Sequence, residues 1–179
     1  ERKADLLKNV SLFAGLDAVE IQALAEVAMV RHVPSDAIIL LAEEEGDTLF
    51  VIVGGRVKVT VMSEDGREVI LSILKDGDIF GEMSLLDGKP RSASVISTAE
   101  TELILLRRPD FLSRLSRFPE MASKMLATLA ERLRRTNRQV ESLALLDVYG
   151  RIAGTLLQLA DDQGENSDQG LTIAERPIH

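Results

Sequence analysis

Hydrophobic and polar positions change rhythm twice along this chain of 179 residues. Residues 1–30 carry a helical pattern, with Asp17 and Glu20 in capping-box spacing ahead of Ile21, Leu24, Val27 and Ala28. From residue 34 to 107 the period shortens to two. Val57-Lys58-Val59-Thr60-Val61 alternates strictly, and residues 49–53 and 102–106 are short and strand-like. Glycines at 46, 55, 66, 77 and 88 sit in turn signals and recur every nine to eleven residues. Short strands at that spacing predict an antiparallel sandwich, roll or barrel.

Beyond Pro109 the helical rhythm returns, and Pro109 and Pro119 each suit the first turn of a helix. A long helix is predicted over about residues 119–146. Ala122, Leu126, Leu129, Leu133, Val140 and Leu143 keep the alternating four-three step of a coiled-coil seam. In that register Thr136 takes a d position and Asn137 the flanking e position, where an apolar residue would stabilise the seam more. Two readings stand for the pair: a polar device fixing register or partner number, or a ligand contact. Asp147 can cap a further helix with Ile152, Leu156 and Leu159 as its stripe, so Leu146-Asp147 is a candidate hinge. Residues 161–170 read as an acidic surface loop.

One stretch carries chemistry: residues 79–95, IFGEMSLLDGKPRSASV. Phe80-Gly81 ends an apolar strand, and residues 82–86 suffice for one and a half helical turns. The start of a short helix offers free N–H groups, and a glycine lets a ligand approach the backbone closely. Arg91 supplies a guanidinium fork that matches two phosphate oxygens, Ser92 a hydroxyl, and the amides of Ser92 and Ala93 further donors. Glu82 would repel a phosphate, but it can accept from a sugar hydroxyl. A sugar-phosphate site fits this set. The competing reading is a surface hairpin turning at Asp87-Gly88, with Arg91 paired to Glu82. A P-loop is excluded, because Pro90 follows Gly88-Lys89 and position 83 is Met.

Composition narrows the field. At 45% hydrophobic content the chain can bury a core, and its longest apolar runs, such as residues 37–42, fall far short of the roughly 20 residues of a spanning helix. A soluble chain with no membrane partner is expected, and the lack of a secretory signal points to the cytoplasm. With no cysteine, disulfides, thiolate catalysis and zinc-thiolate sites are excluded; with two histidines, His32 and His179, a histidine-rich metal site is not expected. The net charge of -8 is uneven: residues 107–138 hold nine Lys and Arg against three Asp and Glu. That run reads as a solvated helix face, not as a DNA site.

The order of parts resembles the CRP/FNR family of bacterial transcription regulators, in particular its cyclic-AMP-receptor branch. The resemblance spans essentially the whole chain. It is carried by FGEMSLLDGKPRSA, by Arg-Thr-Asn at 135–137 in the long helix, and by LDVYGRIA at 146–153. It implies an α+β fold: N-terminal helices, an antiparallel jelly-roll-like beta-roll, a long dimerisation helix and the start of a C-terminal helical domain. The expected domains are residues 1–118, 119–146 and 147–179. Gly81, Glu82, Met83, Arg91, Ser92 and Ala93 would bind the ribose and cyclic phosphate, with Glu82 accepting from the 2'-hydroxyl. Val59 and Leu71 would line the pocket, and Thr136 and Asn137 would reach the base from the dimer helix.

The resemblance also implies cAMP as effector, with cGMP or cyclic di-GMP as alternatives, and a non-enzymatic homodimer. The family's helix-turn-helix is expected to begin near residues 176–179, so operator DNA and RNA polymerase are expected partners of the full-length protein only. A ligand-independent regulator of the same architecture, a cupin-type barrel enzyme and the nucleotide module of a kinase or channel are the competing functions.

Overall fold

The protein is described by a computed structural model that covers residues 2–145, 150, 152–157, 164–167 and 170–173. Residues divide into two compact units, Glu1–Leu126 and Ala127–His179, each described by itself. The expected hinge at Leu146-Asp147, Leu159 and the last residues at 176–179 lie outside the described residues.

The first unit opens with α1 (Arg2–Lys8), a short 3-10 turn (Ser11–Phe13) and α2 (Ala18–Val27). The capping box at the head of α2 forms as the spacing predicts: Glu20 N donates to Asp17 Oδ1 and Asp17 N to Glu20 Oε2, both at 2.8 Å. The helical pattern stops earlier than expected, because Met29 and Val30 already belong to a strand, β1 (Met29–Val33). Helix and strand periods cannot be told apart over so few residues.

Eight strands then form two antiparallel sheets. β2 (Ile38–Leu40), β3 (Thr48–Gly54), β4 (Arg56–Met62), β5 (Glu68–Lys75), β6 (Ile79–Phe80), β7 (Ser94–Ser97) and β8 (Thr101–Arg107) complete the set. One sheet runs β1-β8-β3-β6 and the other β2-β7-β4-β5. Apart from the β4–β5 hairpin, successive strands alternate between the two sheets, a jelly-roll-like order, and with the flanking helices the fold is α+β. A single core cluster joins the sheets: Val33, Phe50, Ile52, Phe80 and Leu103 from the first, and Ile39, Val57, Leu74 and Val95 from the second. Phe50 and Phe80 are register partners, and their rings stack with centroids 4.9 Å apart.

The central strands of the first sheet, β3 and β8, are buried on both faces. Leu49, Val51, Ile104 and Leu106 point away from the roll and are as buried as their neighbours, and α4 (Arg108–Arg117) lies against β3 and β8. This explains why β3 and β8 read as continuous apolar runs while β4 alternates. Pro109 sits in the first turn of α4, as its sequence position predicts. α5 follows as one helix, Pro119–Leu145. Near its start Met121 and Met125 are buried, but Leu126, Leu133, Val140 and Leu143 of the predicted seam are exposed, Leu133 at 62%. In the second unit residues 152–157 are helical, with Ile152 and Leu156 exposed, and β9 (Gly164–Ser167) pairs with β10 (Gly170–Ile173).

Glu43 occupies left-handed backbone at φ 67°, and its N–H donates to Arg91 O at 2.8 Å. An L side chain there costs roughly 1–2 kcal/mol. Glu43→Gly is therefore expected to stabilise the fold by about 0.5–1 kcal/mol, after subtracting the extra chain entropy of glycine. Urea unfolding measures this; an unchanged or lowered midpoint would show that the turn stores no such strain.

Candidate functional site

The cassette is built by the edge of the roll. β6 ends at Phe80, and Gly81 turns the chain at φ 80° into α3 (Glu82–Asp87), which Gly88 closes at φ 72°. Gly81 is required twice over. A Cβ at this position would fall 2.7 Å from Arg91 Nη1 and 2.9 Å from Thr48 O, in a backbone region that L residues rarely adopt.

Arg91 sits at the centre. Its Nη1 donates to Gly81 O at 2.7 Å and its Nη2 to Thr48 O at 2.8 Å. Its own backbone is clamped to the loop before β3, with Arg91 N donating to Glu44 O and Glu43 N to Arg91 O, each at 2.8 Å. The side chain is 4% exposed, and a Cβ on Gly46 would run into its guanidinium. Glu82 is 2% exposed. The surface hairpin with an exposed Arg91–Glu82 pair is thus not what forms: both groups are buried, and Asp87-Gly88 closes a helix.

The electrostatics follow from that burial. Loss of water pulls the Arg91 pKa below its ordinary value, and the carboxylates of Asp47 and Glu82 act against this. Each terminal nitrogen of a guanidinium carries two N–H donors, so a bond to one carbonyl leaves a second donor geometrically possible on that nitrogen. A partly dehydrated cation held in a fixed orientation is suited to a phosphate.

Asp47 links this centre to α4. Its carboxylate lies below the ordinary range because Arg107 and the Thr48 hydroxyl donate to it, at 2.9 and 3.0 Å. Arg108 N donates to Asp47 O at 2.7 Å, and Arg108 Nε to Leu85 O at 2.8 Å. An open depression of about 390 Å³ lies on this side, lined by Glu45, Gly46, Asp47, Ser84, Gly88, Lys89 and Arg108. It shares the Gly46 loop with Arg91 but is not lined by Arg91 or Glu82.

The other expected residues are placed as follows. Met83 is half exposed, and Ser92 Oγ donates to its Sδ at 3.6 Å; Ala93 is buried. Val59 on β4 packs against the core, while Leu71 on β5 is 40% exposed at the bulge between the Val59–Ser72 and Thr60–Ile70 pairs. Thr136 and Asn137 are exposed on α5 in the second unit, where Thr136 Oγ1 donates to Arg132 O at 3.1 Å. Thr48 and Gly46 were not expected to belong to the site. Thr48 enters through its carbonyl, which no side-chain motif records, and Gly46 reads in sequence only as one more turn glycine. Among the described residues no group of three His, Cys, Asp or Glu side chains is placed to hold a metal ion, and no helix is long and apolar enough to cross a membrane.

Residues 30–118 match the family described as Cyclic nucleotide-binding domain. A CRP-like cAMP-activated global transcriptional regulator of Mycobacterium tuberculosis is 34% identical over 169 residues, covering 94% of this chain and 75% of the relative. Among solved structures, the Catabolite Activator Protein of Thermus thermophilus superposes with a TM-score of 0.65 at 34% identity, over 74% of this chain and 62% of that one. A c-di-GMP-responsive global regulator of Xanthomonas campestris gives a TM-score of 0.70 at 26% identity, over 80% of this chain and 72% of that one.

Gly81→Ala is expected to destabilise the first unit by about 2 kcal/mol or more, from the left-handed backbone and the loss of room beside Arg91 and Thr48 O. Denaturant unfolding tests it, and a change below about 0.5 kcal/mol would mean that the turn relaxes freely.

Proposed function

The chain belongs to the CRP/FNR family of transcription regulators, and on that premise we propose that it is the effector-binding and dimerising part of a regulator that answers to cyclic AMP. The observation that carries the proposal is the buried Arg91, held by Gly81 O and Thr48 O beside Glu82. A fixed cation with a carboxylate near it suits a ligand that presents a phosphate and a sugar hydroxyl together. In this reading Arg91 and Ser92 take the cyclic phosphate, the amides at 81–83 and 92–93 support it, and Glu82 accepts from the 2'-hydroxyl. Cyclic AMP is preferred because the relative in Mycobacterium tuberculosis is described as cAMP-activated. The Xanthomonas regulator keeps cyclic di-GMP as the second reading.

Dimerisation is supported by the exposed seam of α5. Leu126, Leu133, Val140 and Leu143 lie on one face at heptad spacing, and an apolar stripe of that kind is stable in water when a second helix covers it. Thr136 and Asn137 interrupt the seam and, in this proposal, hydrogen-bond the base. In this proposal the bound ligand favours one packing of the two helices. It shifts the equilibrium by its differential affinity, typically about 1–3 kcal/mol. In the full-length protein that change would be read at operator DNA and by RNA polymerase.

Calorimetric titration with cyclic AMP, cyclic GMP and cyclic di-GMP tests the effector. Cyclic AMP should bind best, and binding by none of them would sink the proposal. Arg91→Lys, checked for folding by circular dichroism, should weaken binding about 10- to 100-fold, because one ammonium cannot hold both carbonyls and a phosphate. Undiminished affinity would place the phosphate elsewhere.

Thr136→Ala should lower discrimination between adenine and guanine rings while sedimentation still reports a dimer. A monomer would instead assign Thr136 to helix register.

A further inference from the structure

Met83 is the second residue of α3, inside the cassette that the preceding proposal gives to the phosphate. Its side chain is 50% exposed, and Ser92 Oγ–H donates to its Sδ at 3.6 Å. The other methionines differ from it in one of two ways. Met121 and Met125 are buried, and Met29 and Met62, although exposed, sit on β1 and at the end of β4, outside the 79–95 segment of the chain. A thioether is a weak acceptor, so an incoming phosphate oxygen readily takes the Ser92 hydroxyl from it. A sulfoxide would not yield in the same way. It is polar and chiral, and its oxygen is a strong acceptor with partial negative charge.

We propose that Met83 is a modification site at which a peroxide-class oxidant switches the cassette to a weaker phosphate binder. The inference rests on the ligand reading of the same site. In the step, the sulfur lone pair attacks one peroxide oxygen, an S–O bond forms and the O–O bond breaks. The departing hydroxide collects the remaining proton and leaves as water. Sulfur is oxidised by two electrons, and the peroxide is reduced by the same two. The new oxygen then affects the phosphate in two ways. It holds the Ser92 hydroxyl, removing a donor, and it sets a negative dipole against an anion. Methionine sulfoxide reductase reverses the change. The exposure of Met83 is what admits both the oxidant and the reductase.

The test compares each protein with itself before and after hydrogen peroxide. Peptide mass spectrometry reports the fraction of Met83 carrying one added oxygen, and calorimetry reports the affinity for cyclic AMP. The wild-type chain should lose affinity about tenfold, in proportion to Met83 oxidation, and recover it with the reductase. Met83→Leu keeps Met29 and Met62, so whatever its starting affinity, peroxide should leave that value where it was. Three results would overturn the inference: Met83 resisting oxidation, Met83 oxidised with affinity unchanged, or Met83→Leu losing as much as wild type. Failure of the untreated protein to bind any cyclic nucleotide is a different result, which overturns the ligand reading and this inference with it.

Discussion

The Arg91 guanidinium and the two carbonyls it reaches, Gly81 O and Thr48 O, are the constraint on which the rest of the site depends. A cation taken out of water is tolerated only when its donors are satisfied, and backbone carbonyls satisfy them without adding a second net charge. Two consequences follow. The segments that supply those carbonyls must come together, which fixes the loop before β3 against the turn into α3. Side chains must also be absent where the guanidinium passes, which is why Gly46 and Gly81 flank it.

The same contacts lead outward from the cassette. Thr48 adjoins Asp47, whose carboxylate takes Arg107 and whose carbonyl takes the Arg108 amide, while the Arg108 side chain returns to Leu85 at the end of α3. The start of α4 is therefore hydrogen-bonded to both segments that hold Arg91. α4 is also the helix that precedes α5 in the chain. The exposed Asp47–Arg107 pair adds little stability by itself, since water screens it. Its effect is geometric.

Legibility of the site in the sequence was uneven, for physical reasons. Gly81, Glu82, Arg91 and Ser92 stand out because residue type and spacing are the chemistry there: a guanidinium, a carboxylate and a glycine turn are visible as letters. Thr48 and Gly46 are silent, since one acts through a carbonyl that every residue carries and the other through room it leaves vacant. Arg91 and Glu82 on a surface was a reasonable expectation from charge alone. For Arg91 it fails because the segment at 43–48 closes on it, a long-range event set by two backbone bonds between residues more than 40 apart.

By itself the sequence determined the alternation of helices and strands, the capping box of α2, the turn glycines of an antiparallel roll and the heptad spacing of α5. Each of these depends on neighbours within a few residues, so periodicity and composition suffice. Tertiary structure alone decided that β1 begins at Met29, that the strands divide into sheets β1-β8-β3-β6 and β2-β7-β4-β5, and that the loop at 43–48 closes on Arg91. Those outcomes turn on pairing between distant segments. The free energy of such pairing comes from jointly buried apolar surface and shared backbone hydrogen bonds, which belong to no single stretch of the chain.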